Sequence, residues 1–277
     1  MITGNTSFIA HIGWPTHAFR APVIYNPYFE HAQIDCVVVP MGCRAEHFAS
    51  FLRAVFTLEN IRGALITMPH KMSTVALLDE TSTAVQIAGA CNAVRRAEDG
   101  RLVGDMFDGE GFVRGLRRQG FALKGADALV VGAGGVGSAI AASLVAAGIG
   151  SLGLFDAAPA AAEALAGRLK RHHPALHVQT GSRDPAGFGL VVNATPLGMK
   201  DGDPMPVDVT RLDPASFVGE VVMKRERTAF VEAASARGCR VQVGSDMLFE
   251  QIPAYLEFFG LPSTTPQLLR SLDRLDP

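Results

Sequence analysis

A lysine, an asparagine and an aspartate stand in the first part of the chain where they could perform proton chemistry. Lys71 ends the segment 63–71 (GALITMPHK), in which a predicted strand is followed by a proline that turns the chain. Asn92 follows the small residues 88–91, and Asp108 precedes a glycine in the segment GDMFDG. A lysine and an aspartate that converge on a secondary alcohol can take up its proton as hydride leaves the carbon. An ordinary surface ion pair between Lys71 and Asp108 is equally compatible with the spacing.

A glycine-rich turn later in the chain matches the GxGxxG spacing of dinucleotide-binding loops. It follows the predicted strand 128–131 and opens a predicted helix, whose N-terminal amides can hold a pyrophosphate. Asp156 stands about 20 residues beyond the last glycine, where an acid that binds the ribose hydroxyls is expected. Its carboxylate would repel a 2′-phosphate and residues 157–161 include no Arg or Lys, so NAD is favoured over NADP. A tight turn followed by a helix-capping aspartate is the alternative. The loop comprises Gly132, Ala133, Gly134, Gly135, Val136 and Gly137.

Short apolar runs alternate with helix-like segments along the chain, which indicates βαβ units and a parallel sheet in an α/β fold. The two halves of the chain are expected to meet across a cleft. The predicted strands are 7–12, 36–39, 63–67, 92–95, 128–131, 151–155, 176–180, 190–193, 217–222 and 240–243. The predicted helices are 22–31, 45–56, 81–88, 136–147, 160–171, 228–236 and 246–260, with a further helical segment that ends near Gly120.

The composition is that of a globular protein. Of the 277 residues, 48% are hydrophobic and 19% charged, which excludes extended disorder. A net charge of -2 provides no electrostatic footprint for nucleic acid or an anionic membrane. Residues 128–155 carry no charge and are numerous enough to cross a bilayer, but their glycine clusters divide them into strand, helix and strand. A membrane-anchored protein is the weaker alternative.

The N-terminus and the scattered cysteines indicate a cytoplasmic protein. Residues 1–12 contain neither a basic region nor an apolar stretch long enough for a signal peptide. Cys36, Cys43, Cys91 and Cys239 show no CxxC or metal-binding spacing, so we expect reduced thiols. The histidines at 172, 173 and 177 lie in a polar stretch, where a solvated surface is favoured over a metal site. No metal is expected.

These motifs, in this order, resemble those of the shikimate dehydrogenase family along nearly the whole chain. Segment 63–71 is similar to GxNVTxPxK, 88–92 to AGAxN, 104–109 to GDNTDG, 193–199 to NATxxGM and 244–251 to GxxMLxxQ. The resemblance implies that Lys71 and Asp108 are the catalytic pair and that Thr67, Asn92 and Gln251 hold substrate hydroxyls. It also assigns Asn193, Ala194, Thr195, Pro196, Met199 and Gly244 to the cofactor site.

The resemblance further implies the domain organisation. An N-terminal α/β substrate domain would comprise residues 1–108, and a Rossmann-type NAD-binding domain would comprise residues 109–244. A C-terminal helical segment, 245–277, would return to the substrate domain.

The departures from the family pattern are concentrated where relatives bind the shikimate carboxylate. The family's Ser-x-Ser pair falls on Phe19 and Ala21, and its tyrosine falls on Met223. The threonine of GDNTDG has become Phe107, and the asparagine of GxNVT has become Leu65. Losing three hydrogen bonds to a charged group would cost roughly 4 kcal/mol or more, on the order of a thousandfold in affinity. In an extended segment Arg20 would point away from Phe19 and Ala21, so no rescue of carboxylate binding is assigned to it. Neutral drift or a local misalignment is the alternative.

The sequence therefore predicts an NAD-preferring dehydrogenase that acts on a cyclic secondary alcohol. The second group of that substrate would be less polar than the shikimate carboxylate, or differently placed. A true shikimate or quinate dehydrogenase with a rebuilt carboxylate site is one alternative, and a non-catalytic NAD-responsive binding module is another. The expected partner is a small-molecule substrate with a ring hydroxyl. Neither nucleic acid nor a membrane is expected as a partner, and a homodimer is left open.

Overall fold

The protein consists of two compact α/β units, each built on a six-stranded sheet. The structure is a computed structural model that describes residues 2–273. The first unit comprises residues 2–85, 89–107 and 252–273, and the second comprises residues 86–88 and 108–251. The predicted α/β class is therefore confirmed.

Strands and helices alternate along most of the chain. The strands are β1 (Ser7–Gly13), β2 (Cys36–Gly42), β3 (Ile61–Ile66), β4 (Glu80–Thr81), β5 (Ala93–Arg96), β6 (Leu102–Asp105), β7 (Asp127–Val131), β8 (Ser151–Phe155), β9 (His177–Thr180), β10 (Leu190–Asn193), β11 (Phe217–Glu220) and β12 (Arg240–Gln242). The helices are α1 (Ala21–His31), α2 (Ala45–Val55), α3 (Lys71–Thr74), α4 (Thr83–Ala88), α5 (Asp108–Arg118), α6 (Gly135–Ala146), α7 (Pro159–His172), α8 (Ala229–Ala236), α9 (Gly244–Phe258) and α10 (Pro266–Leu272).

The sheet of the first unit is mixed, where the sequence predicted parallel strands. Its order is β2-β1-β3-β5-β6-β4, and β1 pairs in parallel with both β2 and β3. β5 runs antiparallel to both of its neighbours, β3 and β6. Its direction relative to β6 follows from a tight turn, closed by a 2.8 Å hydrogen bond from Ala97 N to Arg101 O, which returns the chain directly into β6. A short hairpin of this kind joins only antiparallel strands.

The sheet of the second unit is parallel throughout, with the order β12-β11-β10-β7-β8-β9. This is the doubly wound order, in which the direction of winding reverses between β7 and β10. The uncharged stretch 128–155 forms most of β7, α6 and β8, whose interior positions are buried. Among residues 2–273 no helix is long and apolar enough to cross a membrane.

The predicted elements agree with the structure to within two residues at each end, except that β2 continues to Gly42 instead of ending at 39. Two of the smaller differences have clear local causes. β11 ends at Glu220 instead of 222, because the next two backbone N–H groups donate to the Glu220 carboxylate. Helix α4 starts at Thr83, with Ser82 as its N-cap, because Thr81 pairs with Gly104 in the sheet. The short elements β4, β6, α3 and α10 were not predicted.

Helices α5 and α6 of the second unit approach each other closely. A Cβ added at Gly109 in α5 would overlap the carbonyl of Ala139 in α6 and lie 2.6 Å from the Ser143 hydroxyl. Only glycine allows this backbone approach, since the obstructing atoms belong mainly to a helix backbone that cannot move aside cheaply.

We predict that Gly109→Ala lowers the free energy of unfolding by about 1–3 kcal/mol, because the helices must move apart. Urea denaturation measures the change. The matched control is Gly167→Ala in the exposed part of α7, where an added Cβ meets nothing within 4 Å. That control should raise stability by roughly 0.5–1 kcal/mol. Equal effects of the two substitutions would contradict the role of close packing.

Candidate active site

Lys71 begins helix α3 shortly after strand β3 has ended. The backbone N–H of Thr67 donates to Ile12 O at 3.0 Å, and the N–H of His70 donates to Thr67 O at 2.9 Å. These bonds turn the chain tightly at the ends of β1 and β3. The half-buried Lys71 therefore lies at the carboxyl end of the parallel part of the first sheet.

His70 anchors this turn in the core of the first unit. Its ring is 1% exposed, and its Nε2 lies 2.7 Å from the carbonyl oxygen of Cys43. The ring stacks on Phe48, with 4.0 Å between centroids and 2° between planes. The hydroxyl of Thr74 donates to His70 O at 2.8 Å. The residue that precedes Lys71 is thus held by ring stacking and by hydrogen bonds.

Asn92 is tied to the same turn and to the segment that precedes Asp108. The N–H of Cys91 donates to Lys71 O at 2.8 Å, and the N–H of Ile66 donates to Asn92 O at 2.9 Å. The Asn92 side chain is 1% exposed, and its Oδ1 accepts from the N–H of Phe107 at 2.9 Å. The structure therefore gathers three predicted site segments of the first unit, around Thr67, Lys71 and Asn92.

The segment that would carry the family's serines is only partly extended, because Phe19 has an extended backbone and Arg20 a helical one. Residues Thr16–Ala18 form a 3-10 turn, and Arg20 immediately precedes α1 with a helical backbone. The condition for Arg20 to point away from Phe19 by strand alternation, an extended backbone, is therefore not met at Arg20. Arg20 Nη2 instead pairs with the buried carboxylate of Asp273 at 2.6 Å. One nitrogen of its guanidinium is thus paired within the first unit.

Aromatic packing replaces polar groups at two of the departing positions. Phe19 stacks on His11, with 4.0 Å between ring centroids. Phe107 packs edge-on against Tyr255 at 5.0 Å and against Phe258 at 5.5 Å. Ala21 opens α1 and is 8% exposed, and Leu65 is buried in β3. These side chains offer no hydrogen-bond donor to a carboxylate.

The second unit holds the remaining predicted substrate residues. Asp108 begins α5 and is 5% exposed. Gln251 lies in α9, and its buried Oε1 has no hydrogen-bond partner among residues 2–273. Met223 follows β11 and is 56% exposed. Because Lys71 and Asp108 belong to different units, their convergence stays a prediction.

The glycine loop joins β7 to α6 at the point where the winding of the sheet reverses. Gly132 has a φ of 108°, and a Cβ there would lie 2.6 Å from Ala194 O. A Cβ at Gly137 would overlap Gly132 O. At Gly134 and Gly135, by contrast, nothing lies within 4 Å of an added Cβ. The loop is closely packed on its protein side and open on the other, as a pyrophosphate cradle requires.

Asp156 is fixed beside this loop. One carboxylate oxygen accepts from the N–H of Ala133 at 2.7 Å, and the other accepts from the N–H of Ala158 at 2.9 Å. Each oxygen keeps a lone pair for a further donor. The Asp156 carboxylate therefore lies against the loop with capacity for ribose hydroxyls.

A buried carboxylate holds the loop that follows β10. Asn193 Nδ2 donates to both oxygens of Glu220 at 3.0 and 3.1 Å, and to Leu197 O at 3.0 Å. The Thr228 hydroxyl donates to Glu220 at 2.8 Å. Asn193 Oδ1 accepts from the hydroxyl of Thr195 at 2.6 Å. Burial raises the pKa of the Glu220 carboxyl, and its hydrogen bonds oppose that shift. The network positions the predicted cofactor residues 193–199.

The other predicted cofactor residues flank this network. Met199 is 41% exposed, and its N–H donates to Pro196 O at 3.1 Å. Gly244 opens α9, where a Cβ would meet the carbonyl group of Val222. A larger residue at Gly244 would therefore displace the chain that follows β11.

Sequence reasoning missed His11, Glu220 and Thr228. His11 and Glu220 are single ionisable residues within otherwise apolar strands, and that signal was available. Thr228 was placed at the start of a helix, but its partner Glu220 cannot be inferred from local pattern. The hydroxyl of Thr228 serves both as helix cap and as donor to Glu220.

The fold and these sites define a dinucleotide-binding α/β protein with another unit in which a turn anchored by the buried His70 carries Lys71. Residues 12–94 match the family model described as the shikimate dehydrogenase substrate binding domain. The chain is 36% identical over 276 residues to the shikimate dehydrogenase (NADP(+)) of Rubrobacter xylanophilus, covering 98% of this chain and 97% of the relative.

Two solved structures share both the fold and detectable sequence identity. Shikimate 5-dehydrogenase from Listeria monocytogenes, in complex with shikimate and NAD, is 25% identical with a TM-score of 0.91, covering 98% of this chain and 97% of that one. Quinate dehydrogenase from Corynebacterium glutamicum, in complex with NAD, is 29% identical with a TM-score of 0.86, covering 96% and 98%. This chain belongs to the shikimate dehydrogenase family of oxidoreductases.

We predict that Thr228→Val lowers the free energy of unfolding by about 1–3 kcal/mol, because Glu220 loses a donor and α8 loses its N-cap hydroxyl while the shape of the side chain is kept. Thr228→Ser is the matched control, since it keeps the hydroxyl and should retain most of the stability. Urea denaturation of both variants provides the comparison. A serine variant as unstable as the valine variant would show that the methyl group, not the hydroxyl, carries the effect.

Proposed function

We propose that this chain is an NAD-preferring dehydrogenase that oxidises or forms a cyclic secondary alcohol. The observation that carries the proposal is the close backbone approach between the glycine loop and the loop after β10, where a Cβ at Gly132 would lie 2.6 Å from Ala194 O. This contact lines the winding reversal of the second sheet, where open α/β sheets bind their ligands. Membership of the shikimate dehydrogenase family supports a ring alcohol as the substrate.

The residues present fit a nicotinamide dinucleotide. The loop from Gly132 to Gly137 would hold the pyrophosphate, Asp156 the adenosine ribose, and residues 193–199 the nicotinamide end. The bound dinucleotide would supply the hydride-transfer chemistry. The open space at Gly134 and Gly135, together with the lone pairs left on Asp156, is the structural support for this assignment.

Lys71 and Asp108 would manage the proton of the substrate hydroxyl. The alcohol must lose this proton as the carbon gives up hydride, and regain it in the reverse direction. Thr67, Asn92 and Gln251 would orient the ring by hydrogen bonds to its hydroxyls. The buried Gln251 Oε1, which has no partner among the described residues, has the free acceptor that such a role needs.

The cofactor preference depends on opposing charges near the ribose. Asp156 disfavours a 2′-phosphate by repulsion. Arg183 brings a positive charge to the end of β8, next to Asp156, since its guanidinium lies 5.6 Å from the ring centroid of Phe155. Arg183 would favour NADP, the cofactor named for the Rubrobacter relative, whereas both solved relatives described above hold NAD. We propose NAD because Asp156 is fixed directly against the glycine loop.

A true shikimate or quinate dehydrogenase is the second candidate, favoured by the names of the relatives. It would need a rebuilt carboxylate site, because Phe19 and Ala21 provide no donors and Arg20 is paired with Asp273. We therefore favour a ring alcohol without a carboxylate at that place. We further propose that the protein acts in the cytoplasm, because its described cysteines are free and buried, which is consistent with a reducing compartment. The oligomeric state proposed for testing is a homodimer.

We predict that Asp156→Ala raises the Kd of NAD about tenfold to a hundredfold and leaves NADP binding equal or tighter, because hydrogen bonds to the ribose and repulsion of a 2′-phosphate are both removed. Arg183→Ala is the companion variant, expected to weaken only NADP. Calorimetric titration of the wild type and both variants with NAD and with NADP measures the dissociation constants to be compared. An unchanged NAD/NADP ratio in Asp156→Ala would show that another group binds the ribose.

We predict that Lys71→Met lowers kcat at least about a hundredfold while dinucleotide affinity stays within about twofold, because proton transfer is removed and the cofactor loops are untouched. NADH absorbance with a panel of cyclic polyols and hydroxy acids measures turnover, repeated with NADP. Lys124→Met, at an exposed lysine, is the control. Tight NAD binding without turnover of any alcohol would support a binding module, and efficient NADP-dependent oxidation of shikimate would overturn both specificity assignments.

A further inference from the structure

His11 is an ionisable residue in the middle of an apolar sheet. It lies in β1, the strand between β2 and β3, opposite Pro40 and Leu65. Its neighbours in the strand, from Phe8 to Ile12, are otherwise apolar, and His11 is only 8% exposed. Burial of an imidazole at such a place is costly unless its ring nitrogens are used.

The ring of His11 forms one packed wall with Phe19 and the turn before Lys71. The two rings are 4.0 Å apart and inclined by 28°. Gly13 lies on the same face of β1 as His11. A Cβ at Gly13 would lie 2.8 Å from Met68 O and 3.0 Å from Phe19 Cζ, so the turn and the Phe19 ring both cover this face. Phe19 therefore not only stands where the family pattern has a serine but also provides the surface on which His11 stacks.

The hydrogen-bonding capacity of His11 is not satisfied by the protein. Its Nδ1 is buried and has no hydrogen-bond partner among residues 2–273. A buried polar atom left without a partner costs free energy, and such atoms in native proteins are few. A ligand that supplies the partner would recover this cost on binding.

His11 is neutral at physiological pH. Burial lowers the pKa of its imidazole to about 4, with the nearby Lys71 charge acting in the same direction. A neutral imidazole provides one donor and one acceptor and no charge. It suits an uncharged hydroxyl or carboxamide, which can pair with either the donor or the acceptor of the ring.

We propose that His11 is a specificity-determining residue of the substrate site, whose Nδ1 hydrogen-bonds an uncharged polar group of the ring alcohol. The stacked pair His11–Phe19 then takes the place of the carboxylate-binding serines, and an uncharged group replaces the carboxylate of the substrate. This inference rests on the proposed function, because it assumes that the surroundings of Lys71 and Thr67 bind the alcohol.

The test compares shikimate with its primary carboxamide, two probes that share one ring and differ in charge at one group. Wild-type kcat/KM should be at least about tenfold higher for the carboxamide. His11→Leu removes the ring nitrogens and should raise KM for the carboxamide about tenfold, while KM for shikimate changes less than about twofold. His11→Asn places an amide near the position of Nδ1 and should restore most of the loss.

Stability and binding measurements separate the possible failures. His11→Leu should be at least as stable as wild type in urea, because it removes a buried atom without a partner. If the variant is less stable and its KM for the carboxamide is unchanged, Nδ1 is satisfied by internal water and the inference is overturned. A wild-type preference for shikimate over the carboxamide also overturns it, while the dehydrogenase assignment stands.

If no probe is oxidised, the proposed function fails, and calorimetry decides the role of His11 without turnover. In the presence of NAD, the carboxamide should bind wild type about tenfold more tightly than His11→Leu. Equal binding of the two proteins, or no binding to either, overturns the inference.

Discussion

The dinucleotide end of the protein depends on one steric constraint, the backbone approach between the glycine loop and the loop after β10. Gly132 lies so close to Ala194 that a Cβ would be 2.6 Å from its carbonyl oxygen, and Gly137 lies against Gly132. Because both loops leave neighbouring strands at the winding reversal, each one limits where the other can go. Asp156 is hydrogen-bonded to the same loop, and Asn193 begins the other, so the residues assigned to the cofactor share one rigid frame.

The predicted site residues of the first unit are held by two different kinds of contact. Lys71 is positioned through the backbone, by the buried His70 and the hydrogen bond to Cys91. The positions that depart from the family pattern are held by ring packing instead, as in the stack of Phe19 on His11. The two kinds of contact meet at Gly13, where an added Cβ would lie close to both Met68 O in the turn and the Phe19 ring.

Local pattern was sufficient for much of the fold and for the cofactor loops. The limits of β8 and β10 follow from short apolar runs bounded by turn residues, and the glycine spacing signals its own loop. Prediction failed where a distant partner decides the structure. Thr81 has helix-compatible neighbours but pairs with Gly104, and β11 stops at Glu220 because that side chain captures the next backbone N–H groups. The backbone at Arg20, which the sequence left conditional, is set by the 3-10 turn before it and by the helix that starts after it.

The sequence by itself determined the α/β class, the family and the chemical groups available, because these depend on residue types at fixed spacings along the chain. Only the tertiary structure decided what surrounds each group. It paired Arg20 with Asp273, enclosed Glu220 with Asn193 and Thr228, and left His11 Nδ1 buried without a partner among the described residues. The physical reason is that burial and hydrogen-bond satisfaction depend on neighbours far apart in the chain, which local spacing does not encode.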